Sequence, residues 1–202
     1  MSEPAPPVVP RPAASLLVLR RSPAGPEVLM GLRGAGHKFM PNRLVFPGGA
    51  VDPEDHAAPV ASPLRPDILR RLAASAEPSL AMALGVAAAR ELVEETGLTL
   101  GEPPHLDGFD YLSRAVTPPS SPVRFDARFF VVDAAAVSGT LAGSGELEDL
   151  RYFAVAEAMA LDLAVVTNGV LGKLLEWLAM APEQRAARTR TPAMFSRVWH
   201  EE

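Results

Sequence analysis

The chain has 202 residues, enough for one domain with a buried core. Hydrophobic residues make up 48% and charged residues 21%, which excludes a disordered chain, and a formal net charge of −5 argues against a non-specific nucleic-acid binder. There is no cysteine, so disulfides, zinc–thiolate sites and cysteine nucleophiles are excluded. Met1 to Pro12 shows no charged stretch followed by an apolar run, and no run of eighteen apolar residues occurs. The expectation is a cytoplasmic protein with no secretory signal and no membrane span.

In chain order, the proline-rich residues 1–13 read as a disordered tail. Ser15–Arg21 and Glu27–Arg33 are compact apolar runs separated by Pro-Ala-Gly-Pro, which predicts two strands joined by a tight connection. Arg43–Phe46 reads as a short third strand stopped by Pro47-Gly48-Gly49. Pro66–Ala76 reads as a short helix, and Ser79 is placed to cap a longer one ending at Thr96. On that helix Met82, Val86, Ala89 and Val93 form an apolar stripe expected to face the core. Gly108–Val116, Phe125–Asp133 and Leu150–Ala154 read as strands, and Val155–Ala160 and Asn168–Met180 as helices. Residues 182–202 remain a tail without assignment. Strands and helices alternate without a regular βαβ rhythm, so the predicted fold is α/β, a mixed β-sheet with helices on both faces.

The most informative segment is Arg90-Glu91-Leu92-Val93-Glu94-Glu95-Thr96-Gly97. Glu91, Glu94 and Glu95 fall at i, i+3 and i+4, which puts three carboxylates on one helix face. They repel one another and lie beside a helix C-terminus, where the macrodipole disfavours negative charge. Such a face suits a bound cation; the plain alternative is a solvated acidic helix end. Hard divalent ions take oxygen ligands, and Mg²⁺ is commonly held by a few carboxylates plus substrate phosphates. Upstream, Gly48-Gly49 permits close approach of backbone to a ligand, or is simply a turn after a strand. A serine hydrolase is disfavoured because the chain has no Gly-x-Ser-x-Gly elbow. The glycines of Gly31-Leu32-Arg33-Gly34-Ala35-Gly36 have the wrong spacing for dinucleotide binding.

Taken together, Gly49 and Arg90–Leu98 resemble the Nudix hydrolase signature, a glycine, five residues, a glutamate, seven residues, then Arg-Glu-apolar-x-Glu-Glu-x-Gly-apolar. The middle departs from it. Asp55 stands where the family has glutamate, with Glu54 beside it. Between Asp55 and Arg90 lie 34 residues where the pattern has seven, an insertion of 27. Its prolines suggest an excursion, at about residues 56–79, that leaves the fold and returns at Ser79. His37–Pro41 with Val45–Gly49, and Thr117-Pro118-Pro119 with Arg124–Phe130, resemble the coenzyme A diphosphatase subgroup, which also has an interrupted box.

The resemblance implies a Nudix-like α/β/α sandwich spanning residues 14–181. It implies a pyrophosphohydrolase that uses Mg²⁺ or Mn²⁺ on a small nucleoside diphosphate derivative. Coenzyme A or acyl-coenzyme A is favoured, with ADP-ribose, NADH or another nucleotide as alternatives, and a non-catalytic ligand sensor as a second class. A homodimer is a family-based expectation. By the same resemblance Glu91, Glu94, Glu95 and the Gly48 carbonyl are expected metal ligands, and Arg90 orients Glu91. The general base is sought in Ser144–Asp149: Glu146 first, Glu148 second, with Glu91 or a metal-bound hydroxide as alternatives. Arg33, His37, Lys38 and Arg128 are candidate phosphate contacts.

Overall fold

The computed structural model describes residues 8–34 and 42–202. β1 (Arg11–Ser22) and β2 (Gly25–Arg33) form an antiparallel hairpin in which Leu19 faces Val28 and Ser22 faces Gly25. β1 therefore starts inside the stretch expected to be a disordered tail. β3 (Leu44–Val45) adds to β2, and β4 (Gly48–Ala50) adds to β1. A 3₁₀ turn (Pro53–His56) leads to α1 (Pro66–Leu72) and the long α2 (Pro78–Thr96). After β5 (Leu98–Thr99), β6 (Asp110–Val116) and β7 (Phe125–Asp133) pair antiparallel. β8 (Ser138–Gly139) pairs with β5, and β9 (Leu147–Ala154) returns to β2. α3 (Val155–Met159), α4 (Val165–Ala179) and α5 (Pro182–Ala186) follow. The residues left unassigned from sequence then form a hairpin, β10 (Pro192–Phe195) and β11 (Val198–Glu201), with β10 parallel to β6.

The main sheet runs β11-β10-β6-β7-β1-β2-β3, with β4 on β1 and β9 on β2. β1 and β7 are parallel, Leu16 opposite Phe130, while most other pairs are antiparallel. Strand periodicity sends alternate side chains to opposite faces. Leu16, Val18, Phe130 and Val132 face one side, where they meet Ile68 and Leu72 of α1 and Leu84, Ala88 and Leu92 of α2. Leu17, Leu19, Phe129 and Val131 face the other and meet Ala158 of α3 and Val170 and Leu174 of α4. The mixed sheet with helices on both faces is the architecture expected from sequence. Among the described residues no helix is long and apolar enough to cross a membrane.

α2 starts one residue earlier than Ser79, with Glu77 as N-cap and Pro78 in the first turn, where its missing N–H costs nothing. It ends as expected. Gly97 takes a left-handed φ of 73° and its N–H closes onto the Val93 carbonyl at 2.9 Å. Of the expected stripe, Val86 and Ala89 are buried and Met82 packs against the core, whereas Val93 is exposed; Ala81, Leu84, Ala88 and Leu92, outside the stripe, are buried too. The run of alanines lets the sheet and α1 both close on the helix, so a single stripe does not describe it.

The insertion is not an excursion. Leu64, Ile68 and Leu72 are at most 1% exposed and belong to the core under α2. Arg65 donates to the carbonyls of Asp107 and Phe109, and Arg71 reaches the Tyr111 carbonyl and the Asp110 carboxylate. Proline-rich composition signalled loops, but the apolar spacing of Leu64, Ile68 and Leu72 supplies a helical face. Ile68→Ala is expected to lower unfolding stability by about 2–4 kcal/mol. A urea midpoint equal to that of the wild type would show instead that the inserted segment is detachable.

Candidate active site

Helix α2 and the β4 strand meet at an acidic corner. Arg90 lies at its base. Its Nε and Nη2 donate to the two oxygens of Asp55 at 3.0 and 3.1 Å, a bidentate pair, and Nη2 also donates to the Ala50 carbonyl at 3.0 Å. Nη1 donates to Glu91 Oε1 at 2.9 Å and Glu94 Oε2 at 3.0 Å. The Asp55 hydrogen bonds, opposed by burial and helped by Glu91, hold this guanidinium even more firmly protonated than usual. Asp55 is buried, and its Oδ2 also accepts the Asp52 N–H at 2.8 Å within the 3₁₀ turn. Asp55 thus ties the 3₁₀ turn to helix α2. The Arg90 guanidinium is hydrogen-bonded to Glu91, Glu94 and Asp55 together.

Glu95 is 2% exposed and its Oε2 accepts the Gly48 N–H at 2.8 Å. Burial is the largest influence on its carboxyl. The Gly48 N–H and Arg33 favour the charged form, Glu91 and Glu146 oppose it, and the pKa is pushed up to about 7. Burial also raises Glu91 against the pull of Arg90, with Glu94 and Glu146 adding to the rise. Arg33 Nη2 lies 3.6 Å from Glu95 Oε1. The pairing of Arg33 with Leu147 at the end of β9 brings Glu146 to the same corner. Glu148, one strand position on, is exposed opposite Leu32.

The carboxylate set fits a divalent cation chemically. Arg90 and Arg33 face Asp55, Glu91, Glu94, Glu95 and Glu146, so the carboxylates outnumber the cations, and burial raises the pKa of Glu91 and of Glu95. Among the described residues no three acidic or histidine side chains already converge as a cage. Side-chain rotation and ligand oxygens would complete one, as is usual for Mg²⁺.

One expected contact changes. Arg128 is wholly buried and not at the corner. It lies on the α1 side of β7, ion-paired with Asp126 at 2.8 Å and donating to the Ser75 carbonyl at 2.7 Å. The strand alternation that points Phe130 into that core points Arg128 there too. His37 and Lys38 lie outside the described residues. A feature not foreseen from sequence is a cleft of about 370 Å³ on the other side of Gly48–Gly49, reached also by Arg33. Its far wall comes from the C-terminal hairpin, and the only hint in the sequence was the apolar Ala193-Met194-Phe195.

Gly48 has φ 155° and a Cβ there would overlap the Ala14 carbonyl and Ser15 backbone; at Gly49 it would meet only the tip of Glu91. Thermal melts should therefore separate two neighbours. Gly48→Ala is expected to lose about 1–3 kcal/mol, and Gly49→Ala less, because the Glu91 carboxylate can move aside at the cost of its hydrogen bond to Arg90. Equal losses would contradict this division.

The NUDIX domain family matches residues 82–178. Among solved structures, a NUDIX hydrolase from Alicyclobacillus acidocaldarius is similar at 26% identity and a TM-score of 0.67, covering 89% of this chain and 96% of its own. A MutT NUDIX hydrolase from Burkholderia pseudomallei is similar at 18% identity and a TM-score of 0.55, covering 83% of this chain and 99% of its own. The NUDIX domain of Shewanella oneidensis NrtR, crystallised with ADP ribose, is similar at 15% identity and a TM-score of 0.54, covering 85% and 90%. Comparison with curated proteins returned no match. The family match begins inside α2. The match covers just under half of the chain, and with the acidic segment and the shared fold it makes the chain similar to the Nudix hydrolases.

Proposed function

We propose that this pyrophosphohydrolase of Nudix type cleaves the diphosphate bond of a nucleoside diphosphate linked to another moiety. Coenzyme A or an acyl-coenzyme A is the favoured substrate, followed by ADP-ribose and NADH. The observation that carries the reading is the excess of carboxylates at the acidic corner: Glu91, Glu94, Glu95 and Glu146 around the Gly48–Gly49 strand, against Arg33 and an Arg90 shared with Asp55. The motif-level likeness to the coenzyme A diphosphatase subgroup ranks the substrates.

In this reading Glu91, Glu94 and Glu95, with the Gly48 carbonyl, hold Mg²⁺ or Mn²⁺. When bound, such an ion neutralises the diphosphate and raises the acidity of water. Arg90 is a positioning residue that fixes the rotamers of Glu91 and Glu94. The Gly48 N–H fixes Glu95, and burial around Glu95 keeps bulk water from competing for its oxygens. Arg33 reaches the corner and can donate to a phosphate oxygen. Glu146, exposed on the loop before β9, takes the proton from the attacking water.

Turnover of coenzyme A, acyl-coenzyme A, ADP-ribose, NADH and dinucleoside polyphosphates with Mg²⁺ or Mn²⁺ tests the activity. Glu94→Gln and Glu95→Gln are each expected to lower kcat/KM by about 100-fold or more. Failure to cleave the whole panel with either metal would refute the reading. For the base, Glu146→Gln is expected to cost about 10²–10⁴ in kcat with little change in melting temperature. Full rate in that variant would transfer the role to another group.

A further inference from the structure

Hydrolysis of a diphosphate requires the acidic corner but not the cleft beside it. That cleft is walled by Ala115, Ala127, Phe129, Val165 and Met194. At about 370 Å³ it lies near the lower end of small-molecule sites, room for one half of a two-part substrate. Ser15, Thr117 and Thr167 supply hydroxyls, and among the described residues the lining has no carboxylate. An anionic group entering it meets no like charge.

The cations of the lining are Arg33 and Arg197. Arg33 is engaged with Glu95 at the acidic end. Arg197 stands on the C-terminal hairpin and is exposed, and among the described residues its guanidinium has no ion-pair partner. It occupies the two-residue turn between Phe195 and Val198, which face each other across the hairpin. Ser196 and Arg197 have φ of 48° and 68°. Positive φ at both central positions belongs to the tight turn that usually takes Asn-Gly. A long side chain is disfavoured there, yet this one lines the cleft. The first turn of α4, capped by no side chain, forms part of the same wall and adds to its positive potential.

We propose that Arg197 is a specificity-determining residue. The cleft receives the apolar or planar half of the substrate, and Arg197 binds an additional phosphate carried by that half. This rests on the hydrolytic reading above and names the substrate class more closely: a diphosphate whose nucleoside bears a further ribose phosphate.

The test uses the full chain and matched pairs differing by one ribose phosphate, coenzyme A against dephospho-coenzyme A and NADPH against NADH. Turnover and calorimetric binding are measured in parallel with Mg²⁺ or Mn²⁺. The phosphorylated member is expected to lead by about ten- to hundredfold, in KM and Kd more than in kcat. Arg197→Gly removes the cation and relieves the turn, so the melting temperature holds or rises while the ratio falls to near one. Arg197→Lys retains part of the preference. Equal Kd values in the wild type, or a preference that survives Arg197→Gly, overturn the assignment. A binding preference that depends on Arg197, without cleavage of any of the four compounds, supports the assignment and refutes only the hydrolytic reading.

Discussion

The bidentate pair between Arg90 and Asp55 is the contact on which the acidic corner depends. It joins two chain segments that the insertion separates, and it does so with charge, direction and geometry together. A buried carboxylate left without its arginine would be strongly destabilising, so neither partner is dispensable. The same guanidinium spends its remaining donors on Glu91, Glu94 and the Ala50 carbonyl. One side chain thereby sets the distance between helix α2 and strand β4 and the direction of two carboxylates. The Gly48 N–H then holds the third, Glu95, from the opposite side.

Much of this was legible in the sequence because short-range rules govern it. The β1–β2 hairpin follows from two apolar runs and a turn, and Phe125–Asp133 is a strand over the same residues as expected. The acidic face follows from helical spacing, and the C-cap follows from Gly97. The rest depends on long-range packing. Ile68 and Leu72 are core residues only because β6 and α2 offer a surface to them. Val93 is exposed because the alanines beside it are better placed between sheet and α1. Arg128 reads as a surface cation until strand parity and Asp126 place it inside. The hairpin β10–β11 is too short to declare itself, and β10 is held by pairing with the edge of β6.

The inserted segment is held by polar contacts as much as by its apolar face. Arg71 is nearly sealed from solvent and pairs with Asp110 at 2.6 Å, while Trp177 Nε1 donates to the other oxygen of the same carboxylate at 2.9 Å. One carboxylate at the start of β6 therefore binds α1 on one side and α4 on the other. Such a buried pair adds less net stability than its distance suggests, but it fixes which elements meet. Arg128, donating to Ser75 and paired with Asp126, is a second polar tie between the insertion and the sheet.

The short arm of Asp55 has a practical meaning for anyone redesigning this corner. The 3₁₀ turn brings the backbone of residue 55 close enough for an aspartate to span the gap, and the side chain is sealed in place. A glutamate at this position would have to fit one more methylene between the turn and the helix, so the loop already supplies the reach that a longer side chain would otherwise provide.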